Sequence, residues 1–249
     1  MYKSLVCKSL LAFVIVTSLF LSCTEESKML DGSLFGYEYF PIDTTSYWIY
    51  QTDRTIIDDN GNTIINETEF VREAITEAFL NGSGDTIYRI ERSIGETQAG
   101  PFFTSDIWTA EKTVNAAFRT EENLEFVKMV YPINVGSQWE GNNFDELIDV
   151  NVADESVKVY KDWGDYECTA KGISLIVNGV EYKDVLTILQ GDFSSDIERR
   201  YAVEHYAPEV GLIKKEMIIL DTQCVCEGET WLEKAERGFT LTQNLLEHN

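Results

Sequence analysis

Along most of the chain, apolar and polar residues alternate over short runs separated by turn residues, a pattern typical of half-buried β-strands. Residues 173–177 and 180–189 flank Asn178-Gly179. Asn-Gly accepts the positive φ that both central positions of a type I′ turn require, so this is the clearest hairpin signal in the sequence. Residues 55–57 and 63–65 flank a second turn sequence in the same way. The pattern therefore predicts antiparallel hairpins.

Further strands are predicted from Tyr37 onwards. A turn at residues 81–84 precedes an apolar run at 86–90, and later strands are predicted at residues 199–206, 212–220, 229–235 and 239–246. The run 69–80 fits a helix or a strand, and its neighbours favour a strand. Many short strands joined by hairpins predict an all-β fold, an antiparallel barrel, half-barrel or sandwich.

The first 22 residues follow a different pattern. Lys3 and Lys8 precede an apolar run over residues 10–21 that only Thr17 and Ser18 interrupt. Twelve helical residues rise about 18 Å, too little to cross a hydrocarbon core of about 30 Å. We therefore predict that residues 1–22 are a signal peptide.

The sequence Phe20-Leu21-Ser22-Cys23 resembles the lipobox of bacterial lipoproteins, with Phe where Leu is usual. The resemblance implies cleavage before Cys23 and acyl chains such as palmitate on that residue, which would anchor the protein firmly in a membrane. The alternative is an ordinary secretory signal with a chance Cys. The segment that follows, Thr24-Glu25-Glu26, places acidic residues directly behind Cys23. This arrangement resembles the surface-export signal of Bacteroidetes-type lipoproteins. This implies outer-membrane attachment, with exposure on the cell surface as the further expectation.

Residues 23–36 are polar and contain Gly, which predicts a flexible tether, and residues 37–249 form the predicted β domain. One motif occurs twice in that domain. Residues 40–48 and 131–139 both have the form aromatic-Pro-Ile-Asp/Asn-x-x-Ser-x-Trp. Pro fixes a bend, Asp or Asn closes a turn, and Trp begins a strand with a large buried surface. Either the domain has two related halves, 37–130 and 131–249, or the match is accidental.

The repeat and two further segments, 177–185 and 205–216, resemble uncharacterised Bacteroidetes-type outer-membrane lipoproteins. In those proteins Tyr-Ala-x-x-Val-Gly-Leu-Ile/Val-Lys follows an Asn-Gly hairpin, as it does here from Tyr206 to Lys214. The resemblance implies a calycin-like barrel or a curved antiparallel sheet. It implies no activity and no catalytic residues.

The formal net charge is −23. Such a surface repels the phosphates of nucleic acids and anionic membranes, so nucleic acid is not an expected partner. The charge favours solubility outside the cell, and the alternative is cation binding. Residues with the spacing of an EF-hand-like loop are Asp58, Asn60, Asn62, Asn66 and Glu69, but Thr63 stands where Gly is expected. A hairpin loop explains the same residues, so we predict no metal and keep this set as the weak candidate.

After Cys7 leaves with the signal peptide and Cys23 is lipidated, Cys168, Cys224 and Cys226 remain. In a strand Cys224 and Cys226 would point the same way and could not easily pair. We therefore expect one disulfide from Cys168 to either of them, or three free thiols. A metal site formed by the three with His205 is the less favoured alternative.

Catalytic residues are not evident. His205 is the only His away from the C-terminus, and Glu204, its neighbour on a strand, would face the opposite way. The chain has no P-loop, GxGxxG or HExxH sequence. We predict no enzyme activity and no cofactor. Asp85-Thr86-Ile87 resembles the O-glycosylation signal of Bacteroidetes, which makes Thr86 a candidate acceptor.

Two functions follow as hypotheses. The first is a non-enzymatic envelope lipoprotein that holds a small apolar or glycan ligand in a β cavity or acts as an accessory to envelope proteins. The second is a surface hydrolase acting on glycans or lipids, which would need two carboxylates about 5–9 Å apart across a cleft. A solid core would favour a scaffold or interaction role. The aromatic residues that form either the core or a pocket are Trp48, Tyr50, Trp108, Trp139, Trp163 and Trp231.

Overall fold

The computed structural model describes residues 34–58, 61–142, 144, 148–152, 155–226 and 228–249. Strands dominate these residues, and the predicted all-β antiparallel fold is confirmed. A 3-10 helix at Tyr37–Tyr39 and a short α-helix at Trp231–Lys234 accompany them. The strands are β1 Tyr47–Asp58, β2 Thr63–Leu80, β3 Thr86–Gly95, β4 Phe103–Lys112, β5 Ala116–Glu121, β6 Leu124–Val130, β7 Gln138–Trp139, β8 Val150–Val152, β9 Glu155–Val157, β10 Tyr166–Val177, β11 Val180–Ser194, β12 Glu198–Ala207, β13 Gly211–Asp221 and β14 Arg237–His248.

Twelve of these strands form one sheet in the order β6-β5-β4-β3-β2-β1-β14-β13-β12-β11-β10-β7, while β8 and β9 form a hairpin of their own. The sheet curves into a nearly closed barrel. Its two edges meet where the backbone N–H of Val127 in β6 donates to the carbonyl of Gly141, 2.9 Å away, just after β7. The Trp139 indole N–H of β7 also donates to the Val127 carbonyl at 2.7 Å.

The two predicted halves each contribute six strands to this barrel. Residues 37–130 provide β1 to β6 as a continuous meander, and residues 131–249 provide β7 and β10 to β14 as a second one. The first strand of one half adjoins the last strand of the other at both seams, because β1 pairs with β14 and the segment after β7 contacts β6. A common origin of the two halves stays a hypothesis.

The repeated motif has one local structure at both sites. The Ser46 N–H donates to the Asp43 carbonyl at 3.1 Å, and the Ser137 N–H donates to the Asn134 carbonyl at 2.9 Å. Each turn leads into the first strand of its half. The Trp that follows is buried in both copies, and its indole N–H donates to a backbone carbonyl.

The predicted hairpins are present. Residues 55–57 and 63–65 lie on β1 and β2, which meet at the pair Asp58 and Thr63. Asn178 and Gly179 have φ of 47° and 81°, as a type I′ turn requires. The ambiguous run 69–80 is part of β2, so the preference for a strand is confirmed.

The predicted strand at 229–235 is wrong, because Trp231–Lys234 is helical. The Glu233 carboxylate accepts hydrogen bonds from the Thr230 backbone N–H at 2.7 Å and from its hydroxyl at 2.8 Å. This Thr-x-x-Glu arrangement is a helix-start signal. It outweighs the apolar residues that favoured a strand.

One end of the barrel is covered by the connection between β7 and β10. Val152, Val157 and Val159 of this connection belong to the main core, together with Met217 of β13 and Phe239 of β14. The connection is fixed by Arg200, which is 1% exposed on the inner face of β12. Its Nε donates to the Lys158 carbonyl at 2.9 Å, and its Nη2 pairs with Asp221 at 2.7 Å.

The opposite end is covered by the 3-10 helix and the β10–β11 hairpin. The Tyr39 hydroxyl donates to the Asp184 carbonyl at 2.8 Å, and the Asn178 side chain donates to the Leu245 carbonyl at 2.9 Å. Gly211, in the segment that carries the family resemblance, has φ of 88°, and a Cβ there would lie 3.4 Å from Pro41. The Val-Gly pair of that segment thus shapes a turn against which the N-terminal part of the domain packs.

Among the residues that the structure describes, no helix has the length and hydropathy needed to cross a bilayer.

Closure of the barrel requires a residue without a side chain at position 141, and this can be tested. The Tyr166 ring packs so closely on this residue that a Cβ would overlap it. Gly141→Ala is expected to lower the free energy of unfolding by about 2–4 kcal/mol, since overpacking at the seam forces the edges apart. Urea denaturation measures the change. Gly82→Ala, in an open turn with no atom near the added methyl group, is the matched control and should stay within about 0.5 kcal/mol of wild type. Equal urea midpoints for both variants would refute this account of the seam.

Candidate functional site: the barrel lumen

Charged side chains meet inside the barrel. Glu204 of β12 faces inward between Ala202 and Tyr206 and is 1% exposed. Lys128 of β6 is 4% exposed, and its Nζ lies 3.0 Å from Glu204 Oε1. Since β6 and β12 are not neighbours in the sheet, this ion pair spans the lumen.

Four more ion pairs extend the contact. Arg119 Nη2 lies 2.6 Å from Glu73 Oε2, and Arg119 Nε lies 3.3 Å from Glu121 Oε1. Lys128 Nζ is 3.2 Å from Glu121, and Lys215 Nζ is 3.5 Å from Glu204. We call the six residues the lumen network: Glu73, Glu121, Glu204, Arg119, Lys128 and Lys215. Three carboxylates face three cations, so the formal charge of the network cancels.

Aromatic side chains complete the surroundings of the charges. The Trp108 ring lies between two guanidinium groups, with Arg119 Cζ at 4.8 Å and Arg92 Cζ at 5.1 Å from its centre, which is cation–π geometry. The Tyr206 hydroxyl donates to Glu204 Oε2 at 2.5 Å. Within the described residues Arg119 Nε and Nη2 lack the alignment of a hydrogen bond, so they contribute as ion-pair groups.

Two carboxyl groups of the network, Glu121 and Glu204, are ionised at neutral pH. Burial raises the pKa of Glu121, but Lys128, Lys215 and Arg119 outweigh burial and bring the pKa to about 2. The pKa of Glu204 is lowered in the same way: burial opposes ionisation, and Lys128 and Lys215 overcome it. A carboxyl group that acts as a general acid needs a raised pKa. Glu121 and Glu204 have the opposite property.

Little space remains between these groups. The cavity beside the network, bordered also by Trp48 and Tyr50, has a volume of about 70 Å³. Pockets for small-molecule ligands span about 300–1,000 Å³. Spaces of that size lie elsewhere. Two grooves are open to solvent, one of about 660 Å³ beside Tyr37 and Lys112 and one of about 690 Å³ beside the exposed Phe103. A third space, of about 340 Å³, separates Val152 and Val159 of the β7–β10 connection from Met217 and Phe239 of the barrel wall.

The predicted aromatic candidates serve mainly as core. Four are buried, Trp108 borders the lumen network, and Trp231 lies half-buried on the short helix. The buried ones are Trp48, Tyr50, Trp139 and Trp163. The four do not line one common sugar or lipid pocket. They pack in the hydrophobic core, which was the alternative expectation.

The EF-hand-like residues are separated by the hairpin. Asp58 and Asn62 stand at the β1–β2 turn, and Asn60 lies outside the described residues. Glu69 lies roughly 20 Å further along β2, at the rise of an extended strand. Its carboxylate is 3.4 Å from Arg54. The weak calcium candidate is thus a hairpin loop plus a strand carboxylate that pairs with arginine.

The cysteine prediction needs correction. Cys224 and Cys226 form a disulfide with each other, and Cys168 is a free, buried thiol. The expectation assumed a strand, whereas residues 222–226 form a loop, in which side chains two residues apart can meet. Burial raises the pKa of the Cys168 thiol on β10. His205 lies on β12 with its ring Nδ1 3.0 Å from Thr187, and the alternative metal site formed with these cysteines is not assembled.

Some site residues predicted from the sequence are still predictions, and one set of site residues was not predicted at all. Cys23 lies outside the described residues. Thr86 is exposed at the start of β3, and its glycosylation stays a prediction. Glu204 and His205 do face opposite ways, as expected for neighbours on a strand. The lumen network was missed, although Glu204 occupies the same strand face as Ala202 and Tyr206, and a charge in an apolar phase is the signal of a buried ion.

No family model and no curated protein matches the chain. One similar solved structure is a protein from Bacteroides fragilis provisionally named as exported, with a YmcC-like fold; it is 11% identical, with a TM-score of 0.43 over 85% of this chain and 98% of that one. Another is a protein from Parabacteroides distasonis provisionally named as a lipoprotein; it is 14% identical, with a TM-score of 0.41 and the same coverage. We derive neither family nor function from likenesses of this size.

The ion pair across the lumen can be tested by a double-mutant cycle. Lys128→Met leaves Glu121 and Glu204 without their shared cation, so we expect a loss of about 3–5 kcal/mol in the free energy of unfolding. Adding Glu204→Gln should restore part of that loss, with a coupling of about 1–3 kcal/mol in urea denaturation. Lys183→Met, on the exposed part of β11, is the control and should change little. Strict additivity of the two lumen substitutions would contradict the pairing.

The lumen network also predicts sensitivity to acid. Glu121 has a pKa of about 2 in the fold against 4.5 ordinarily, so its ionised form stabilises the native state fully above pH 4.5. That contribution is lost as the pH falls from 4.5 towards 2. The melting temperature should fall more steeply over this range in the wild type than in Glu121→Gln, whose side chain cannot titrate. Parallel curves of melting temperature against pH would show that Glu121 does not carry the effect.

Proposed function

We propose that the chain is a lipid-anchored outer-membrane lipoprotein whose barrel acts as a non-enzymatic accessory or interaction protein of the cell envelope. The lipobox resemblance at Cys23 and the acidic residues Glu25 and Glu26 support the anchor and an outward-facing position. The formal charge of −23 supports a body that stays soluble next to a membrane surface.

The paired charges in the lumen are the single observation that carries this proposal. A ligand held among them would need an interior cavity, whereas the cavity beside these six charges measures about 70 Å³. Admitting a lipid or glycan would separate charges that are buried, such as Lys128 and Glu204, and the cost would be several kcal/mol for each ion left unpaired. Recognition therefore takes place at the outer surface, and the barrel supplies rigidity.

The alternative, a surface hydrolase, is supported less well. The acidic residues that converge in the lumen are held by cations, and Glu121 and Glu204 have lowered pKa values. A glycosidase needs one carboxyl group that is protonated near neutral pH. On the outer face of β12, His205 has Nδ1 3.0 Å from the Thr187 hydroxyl and Nε2 3.8 Å from Glu216, but Thr187 is only 8% exposed, so a substrate would have little access to its hydroxyl.

Native mass spectrometry of the detergent-extracted protein tests the proposal. We expect the mass of residues 23–249 plus acyl chains, with no further molecule bound at one per chain. A stoichiometric lipid or glycan that leaves only on denaturation would overturn the scaffold role and favour a carrier. A Cys23→Ala variant, expected to lose the acyl mass and the membrane fraction, is the control for the anchor. An unmodified Cys23 in the wild type would overturn the anchor itself.

A further inference from the structure

A disulfide within three residues stands apart from the barrel. Cys224 and Cys226 lie in the loop between β13 and the short helix Trp231–Lys234. Both are half-buried, and Val225 between them is 67% exposed. Solvent therefore reaches the loop, in contrast to the buried thiol of Cys168.

This disulfide is poorly suited to stabilising the fold. The stabilisation that a cross-link gives by restricting the unfolded chain grows with the length of the loop that it closes, and a three-residue loop is near the minimum. Other contacts hold the loop. The Cys224 N–H donates to the Thr222 hydroxyl oxygen at 2.9 Å, and that hydroxyl donates to the Lys234 carbonyl at 2.6 Å. The loop thus stays attached to the barrel when the sulfur–sulfur bond opens.

A carboxylate adjoins the sulfurs. A Glu229 carboxylate oxygen and the two Sγ atoms all lie within 4.8 Å of one another. A negative charge at this distance disfavours a neighbouring thiolate.

We propose that Cys224 and Cys226 form a thiol–disulfide exchange site that accepts electrons from dithiols in the exported compartment. One thiolate of the dithiol attacks a sulfur of the pair, the Cys224–Cys226 bond breaks, and the departing sulfur leaves as a thiolate that takes up a proton. The second thiol of the dithiol then displaces the remaining cysteine from the mixed disulfide. Two electrons and two protons pass to the pair, and the dithiol becomes a disulfide.

The first test is reduction of the native, detergent-extracted protein by dithiothreitol over a graded range of potentials, followed by alkylation and peptide mapping. We expect Cys224 and Cys226 to become labelled together while Cys168 stays unlabelled and circular dichroism is unchanged. Labelling of the pair only together with Cys168, or only as structure is lost, would overturn the proposal, because it would mean that the bond opens through unfolding.

Two variants separate exchange from a structural role. Cys224→Ser/Cys226→Ser should melt within about 5 °C of the wild type and should no longer oxidise dithiothreitol; a larger drop would show that the bond mainly holds the fold. Glu229→Gln should speed alkylation of the reduced pair at neutral pH by about two- to four-fold, since the repelling charge is gone. Asp196→Asn, an exposed change outside the loop, should leave that rate unchanged. Equal rates for wild type and Glu229→Gln would remove the carboxylate from the site.

Discussion

The ion pair between Lys128 and Glu204 is the contact around which the barrel interior is organised. Closing a twelve-stranded sheet removes its inner face from water, and a charge on that face is tolerated only beside a counter-charge. Glu204 receives Lys128, Lys215 and the Tyr206 hydroxyl, and Arg119 joins Glu73 and Glu121 to the same network. Because each buried charge needs its partner within ion-pair distance, the network fixes the distance between opposite walls of the barrel.

The pairing that permits these charges also limits the chemistry of the lumen. Carboxylates held as anions neither donate protons nor release their cations to a ligand, and the space left beside them is small. The proposed exchange chemistry lies outside the core, in the loop that carries Cys224 and Cys226. Closure of the sheet thus buries the charges of the lumen and leaves the loop after β13 accessible to solvent.

The sequence predicts the strands well because their signals are local. Period-two alternation, Asn178-Gly179 and the doubled Pro-Ile-x-x-x-Ser-x-Trp motif each act within a few residues, and β10, β11 and both Trp-bearing turns follow them. The lumen network is different. Glu204 can be recognised as inward-facing because it alternates with the apolar residues of β12. Its partner Lys128 is 76 residues away in the sequence, and only the register of the closed barrel brings the two together. The error at Cys224 has a related cause, since a strand was assumed where β13 has already ended.

The difference between the two halves explains why one end of the barrel is covered by a connecting segment. β1 opens the first meander with 12 residues, while β7, which opens the second, has two. After Trp139 the chain leaves the sheet, and among the residues that the structure describes the seam shows one backbone hydrogen bond, from the Val127 N–H to the Gly141 carbonyl. The segment released from the sheet becomes the connection whose Val157 and Val159 enter the core and whose Lys158 carbonyl is held by Arg200. The chain that would have closed the wall thus covers one end of the barrel instead, and a space of about 340 Å³ remains between it and Met217 and Phe239 of the wall.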